Sequence, residues 1–206
     1  MENKKIKLII FDYDDTIIER NSELIFSDLK EAEQIIEYIN KKYPRIVKLK
    51  ETLRDVFNHF NINFDEDKIE EYAKKYVRFY ETGKIKDNVK TLLRELSENY
   101  TLIILSNGGK KSKINELKYN NFEDVFKDII TPEDSGYEKP DSRAFEYVLK
   151  KYNLNVDEVI SIGNSYTFDI APAKSIGIKT ILITKKNADL NLGSIEDVNK
   201  ETISKL

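Results

Sequence analysis

The chain has 206 residues, enough for one core domain with a small insertion and too few for a large multidomain assembly. Its formal net charge is −3, with lysine and glutamate interspersed, which argues against the basic face a nucleic-acid partner needs. That charge pattern, with no apolar run of membrane-spanning length and no signal-peptide pattern, leads to the expectation of a cytoplasmic protein with no membrane partner, while the lack of cysteine excludes disulfide and thiolate chemistry and is mute on compartment.

The first element is a continuous apolar run of Ile6, Leu8, Ile9, Ile10 and Phe11, the pattern of a strand buried on both faces. It leads directly into Asp12, Tyr13, Asp14, Asp15 and Thr16. Carboxylates are seldom left at the mouth of a buried strand unless something there binds them. In open α/β sheets that mouth is where ligands sit.

From about Ile17 to Ile85 the buried-strand pattern gives way to amphipathic helices. One carries Leu29, Ala32, Ile35, Ile36 and Ile39, with Ser27 suited to its N-cap. A second follows Pro44, a residue that favours a helix start, and carries Ile46, Leu49, Leu53, Val56, Phe57 and Phe60. A third carries Ile69, Tyr72, Ala73, Tyr76 and Tyr80 and is closed by Gly83. His59, the one histidine, and the tyrosine stripe read as packing residues before they read as chemistry.

Beyond this insertion, strands and helices alternate. Val89 to Ser97 is helical, and Thr101 to Leu105 is a strand running into Ser106, Asn107, Gly108 and Gly109. Asp128 to Ile130 is a strand whose loop carries Lys139 and Pro140, followed by a helix from Ser142 to Tyr152. Val159 to Ile162 runs into Gly163, Asn164 and Ser165, with Asp169 shortly beyond, and Lys179 to Ile183 closes the series. Ser194 with Asp197 has the spacing of a capping box before a short terminal helix. The alternation predicts an α/β fold: a doubly wound parallel sheet with right-handed crossovers, which brings these strand ends to one edge. The core would comprise residues 1–18 and 86–206, and a small helical domain residues 19–85.

Four motifs occur in one order: Asp12-Tyr13-Asp14-Asp15-Thr16, Ser106-Asn107-Gly108, Glu138-Lys139-Pro140-Asp141, and Gly163-Asn164-Ser165 through Asp169. In these, and from about Ile6 to about Thr184, the chain resembles phosphatases of the haloacid dehalogenase superfamily with a helical cap after the first strand. The resemblance implies a Rossmann-like core and Asp12 as nucleophile, forming an aspartyl-phosphate that splits one hard step into two. Asp14 would protonate the leaving oxygen and then deprotonate the attacking water. Lys139 would neutralise charge on Asp12 and the phosphoryl group. Ser106 and Gly108, with the backbone N–H groups of Asn107 and Asp15, would bind phosphoryl oxygens. The helical insertion would close over the site, with hinges near Glu19 to Asn21 and Thr82 to Asp87.

Electrostatics add a cation to this picture. Two carboxylates about 4 Å apart repel by roughly 4 kcal/mol at an effective dielectric near 20, and Lys139 supplies one charge only. Mg²⁺ suits such a site, and the resemblance places its ligands at the Asp12 side chain, the Asp14 carbonyl, Asn164 and Asp169. Asn164 stands where that pattern has an acid; its amide oxygen can still bind a metal, without the charge. The expectation is a Mg²⁺-dependent hydrolase of a small phosphorylated metabolite, monomeric or homodimeric. Two alternatives stand beside it. A haloacid dehalogenase needs Asp12 but neither Asp14 nor a metal, and a phosphate-binding regulatory protein with a weakened metal site would account for Asn164.

Overall fold

The structure, a computed structural model, describes residues 6–43, 46–183, 191–192 and 195–204. In chain order its regular elements begin with β1 (Leu8–Phe11), then α1 (Ala32–Lys42), α2 (Leu49–His59) and α3 (Glu66–Glu81). There follow α4 (Asp87–Ser97), β2 (Thr101–Leu105), α5 (Lys110–Tyr119), β3 (Asp128–Ile130), α6 (Pro132–Ser135) and α7 (Arg143–Tyr152). The chain continues through β4 (Val159–Gly163), a π-helical turn at Tyr166–Ile170, α8 (Ala171–Ser175), β5 (Lys179–Ile183), β6 (Asn191–Leu192) and α9 (Lys200–Ser204).

Among the described residues the six strands form one parallel sheet in the order β3-β2-β1-β4-β5-β6. After β1 the chain builds outward through β2 and β3, then returns to the other side of β1 with β4. The strand order therefore reverses beside β1, and open α/β sheets bind ligands at such a switch point. Phe11 is in register with Ile104 and Ile162, so the residues just past β1, β2 and β4 emerge together at one edge.

The apolar runs have a simple cause: both faces of the sheet are covered. Ile9 and Phe11 point to one side, where they join Ile104, Ile160 and Ile162 under Val89, Leu93 and Leu96 of α4 and Leu117 of α5. Leu8 and Ile10 point to the other, with Ile103, Leu105 and Ile130 beneath Ala144, Phe145 and Val148 of α7. A strand whose two alternating sets are both buried must be apolar throughout.

By contact the chain divides into two compact units, Met1–Glu19 with Lys84–Leu206, and Arg20–Gly83. The second has its own core of Ile35, Ile39, Leu53, Val56, Phe57, Ile69 and Tyr72. Phe26 stacks on Tyr72 at 5.5 Å and Phe57 meets the same ring edge-on at 5.0 Å. His59 stacks on Tyr38 at 4.0 Å, a packing role. Two expected helix ends differ. Ser27 caps nothing: α1 starts at Ala32, and the Ser27 hydroxyl donates to the Leu24 carbonyl at the close of a 3₁₀ turn, Ser22–Phe26. Such local bonds compete with capping for short hydroxyl side chains. At the end of α3, Thr82 takes the part expected of Gly83, donating both its N–H and its hydroxyl to the Arg78 carbonyl. Pro44 and Ser194 lie outside the described residues. Among the described residues no helix is long and apolar enough to cross a membrane.

Phe57 is fully buried and touches both Phe64 and Tyr72. Phe57→Ala is expected to cost about 3–5 kcal/mol. Hydrogen exchange should show the loss of protection concentrated in α1–α3.

Candidate active site

The site begins where β1 stops. The Asp12 N–H still donates to the Ile162 carbonyl at 2.9 Å, as a last rung of the sheet. The chain then turns sharply: Asp15 adopts a left-handed conformation, φ 58°, and its N–H donates to the Ile18 carbonyl at 2.7 Å. That bond engages the donor expected to meet a phosphoryl oxygen, so in this structure Asp15 serves the turn. Thr16 is buried, and its hydroxyl lies 3.1 Å from Asp12 Oδ2 and 3.4 Å from Asn164 Oδ1, linking the first motif to the fourth.

Lys139 joins the carboxylates. Its Nζ donates to Asp12 Oδ1 at 2.7 Å and to Asp169 Oδ1 at 2.6 Å, although residues 12, 139 and 169 follow three different strands. The Lys139 and Asp169 side chains are nearly inaccessible. Asp169 is held by the π-helical turn, its Oδ2 accepting the Ser165 N–H at 2.9 Å. Gly163 makes this return possible, because a Cβ there would come within 2.5 Å of Asp169 Cβ and Cγ.

Burial pushes the Asp12 carboxyl up from 3.8 to about 6; the Lys139 charge opposes the rise, and the Asp169 charge adds to it. Burial works against the Lys139 charge, but Asp12 and Asp169 outweigh it and hold the ammonium above the ordinary lysine range. Two buried carboxylates thus share one cation, and the site is short of positive charge.

A second cluster lies on the same turn. Asp14 Oδ2 pairs with Lys113 Nζ at 2.5 Å. Ser106 is buried, and its hydroxyl oxygen accepts the Gly108 N–H at 3.1 Å. Asn107 works through its side chain: Nδ2 donates to the Lys139 carbonyl at 2.7 Å and Oδ1 accepts the Lys139 N–H at 2.8 Å. The amide thereby clamps the loop that delivers Lys139. Neither the Asn107 clamp nor Lys113 was foreseen from the sequence. The motif points to the Asn107 backbone alone, and Lys113 sits among the polar residues of α5, where no apolar periodicity marks a buried position.

Among the described residues no three Asp, Glu, His or Cys side chains form a metal-holding group. Mg²⁺ does not require one, since it keeps several waters and takes one or two carboxylates plus substrate phosphate. The Asp12 carboxylate, the Asn164 amide oxygen and the Asp14 carbonyl are all oxygen donors. The shortage of positive charge at Asp12 is of the kind a divalent cation relieves, and on both counts the residues fit the ion.

A family model described as haloacid dehalogenase-like hydrolase matches residues 9–183. A glyceraldehyde 3-phosphate phosphatase of Pyrococcus furiosus is 25% identical, the match covering 92% of this chain and 85% of the relative. Among solved structures, the HAD-hydrolase YfnB of Bacillus subtilis bound to magnesium has a TM-score of 0.77 at 20% identity, over 94% of this chain and 97% of the other. A dehalogenase has a TM-score of 0.75 at 17% identity, over 93% and 95%. At these identities the two structures speak for the fold alone.

The raised Asp12 acidity carries a sign. The folded chain holds this proton more tightly than the unfolded chain, so stability falls as pH rises from about 4 through about 6. A rise from 3.8 to about 6 corresponds to roughly 3 kcal/mol. In chelator-treated protein at pH 8, Asp12→Asn should therefore melt no lower than the wild type and by up to that amount more stably. The difference should shrink as the pH approaches 4. Thermal melts across that range check it, and a variant clearly less stable than wild type at pH 8 would contradict the charge shortage.

Proposed function

The chain belongs to the haloacid dehalogenase-like hydrolases, and from that premise we propose that it hydrolyses phosphate monoesters of a small metabolite through an aspartyl-phosphate on Asp12. The observation that carries this reading is Asp14, a second carboxylate two residues past the nucleophile and held by its own lysine. Expelling a halide requires no proton, whereas expelling an alkoxide does. A hydrolytic dehalogenase has no use for a fixed acid at that place.

In the first step an Asp12 oxygen attacks phosphorus, the bond from phosphorus to the ester oxygen breaks, and Asp14 gives its proton to that oxygen. In the second, Asp14 takes a proton from water as the water oxygen attacks phosphorus, and the bond to Asp12 breaks. Thr16 orients the Asp12 carboxylate through its hydroxyl. Lys139 offsets the charge that gathers on Asp12 and the phosphoryl group, and it reaches them pre-positioned by Asp169 and Asn107. Mg²⁺, bound through the Asp12 carboxylate, the Asp14 carbonyl and the fourth-motif loop, would add positive charge against the phosphoryl oxygens. The helical unit would act as a cap that excludes water and selects the leaving group.

The phosphatase named among the relatives supports this chemistry, and the dehalogenase neighbour supports the scaffold. Asn164 is the feature that favours the other alternative, a phosphate-binding regulatory protein with a weakened metal site. Phosphatase and dehalogenase chemistry are separable in one screen. Phosphorylated metabolites should release phosphate only with Mg²⁺, and Asp12→Asn should lose that activity by at least about a thousandfold, since an amide forms no acyl-phosphate. Chloride release from 2-chloro acids with no phosphate release from any ester would overturn the proposal. Asn164→Asp is expected to lower the Mg²⁺ concentration for half-maximal activity several-fold, because it returns a charge to the cation site. An unchanged titration would mean that Asn164 serves the Thr16 hydrogen bond alone.

A further inference from the structure

We propose that Lys113 is a positioning residue for Asp14, fixing the acid–base carboxylate where the leaving oxygen and the second-step water must meet it. This rests on the phosphomonoesterase reading above. Lys113 lies in the first turns of α5, yet its side chain is only 1% exposed. Its Nζ is 2.5 Å from Asp14 Oδ2 and sits over the Tyr13 ring, 4.7 Å from the centroid. Two consecutive residues of the β1 turn therefore grip one ammonium. The lysine stem passes close to Gly108: a Cβ on that residue would stand 3.1 Å from Lys113 Cε and 3.4 Å from Nζ. A side chain at that point of the second motif would crowd the path by which the lysine reaches the first.

Stability alone gives a poor account of this arrangement. A buried ion pair is often no better than an apolar pair of the same volume, because desolvating the ammonium offsets the attraction. The Asp14 side chain, moreover, is 31% exposed and could keep its hydration without a buried lysine. What the pair does supply is direction. An exposed aspartate samples several rotamers, whereas an acid catalyst must present its oxygen within a fraction of an ångström of the departing atom. The division of labour is also clean: Lys139 bridges Asp12 and Asp169, and Lys113 holds Asp14, from a different loop and a different helix.

The test compares kcat/KM, which reports the first phosphoryl transfer, on an alkyl phosphate and on a p-nitrophenyl phosphate. The alkyl ester needs its leaving oxygen protonated; the nitrophenyl ester barely does. Lys113→Met should lower kcat/KM on the alkyl ester by about 10–100-fold and on the nitrophenyl ester by less than about 3-fold. In an Asp14→Asn background the same substitution should add less than about 2-fold on either ester, since its effect runs through Asp14. Thermal melts accompany each variant. Should Lys113→Met fail to fold, Lys113→Leu, which likewise offers no donor to Asp14, takes its place with the same expected leaving-group dependence. Equal losses on both esters, or an undiminished loss in the Asp14→Asn background, would overturn the proposal and leave Lys113 a packing residue. A wild type that cleaves neither ester would overturn the phosphomonoesterase reading itself, and this inference with it.

Discussion

One ammonium between two buried carboxylates is the constraint around which this site is organised. Lys139 must reach Asp12 and Asp169 at once, at 2.7 and 2.6 Å, from a loop beyond β3. Removing either carboxylate leaves a pair; removing the lysine leaves two negative charges with nothing to separate them in a region largely closed to water. Much of the surrounding detail serves that meeting. The parallel register brings the ends of β1, β2 and β4 to one edge. The Asn107 amide fixes the Lys139 backbone in both hydrogen-bonding directions. Gly163 gives up a side chain so that Asp169 can fold back over it.

The same constraint links structure to chemistry. Two negative groups and one positive group leave a net deficit, expressed as an Asp12 carboxyl that holds its proton up to about pH 6. A site in that condition stores unfavourable energy when empty of cations and gains when one arrives, the common trade of stability for function. Asp14 has a lysine of its own, Lys113, at 2.5 Å. Two carboxylates on one turn thus have different charged partners, Lys139 for Asp12 and Lys113 for Asp14.

The scaffold was legible in the sequence because burial on both faces forces unbroken apolar runs, and β2, β3 and β5 lie where those runs do. All four motifs could be placed at one edge because each follows a strand of a parallel sheet. What escaped was local and side-chain-specific. The Ser27 and Thr82 hydroxyls each bond a carbonyl three or four residues back, a local choice that the apolar periodicity of the helices does not record. Lys113 is not marked by the sequence because its neighbours Gly108 and Tyr13 lie on other elements, and helical periodicity records only the helix's own faces. The Asp15 N–H was assigned outward, whereas the left-handed turn points it at Ile18.

The central claim is that Asp12, poised by Lys139, takes up the phosphoryl group. Rapid acid quench of the enzyme during turnover of an aryl phosphate with Mg²⁺, followed by peptide mass mapping, addresses it directly. Asp14→Asn, which slows the second step, should be measured alongside the wild type. The account requires a hydroxylamine-sensitive phosphoryl group on the peptide carrying Asp12, more abundant in Asp14→Asn than in the wild type. Phosphate released on the same timescale with Asp12 unmodified in both proteins, or a phosphoryl group found on another residue, would contradict it.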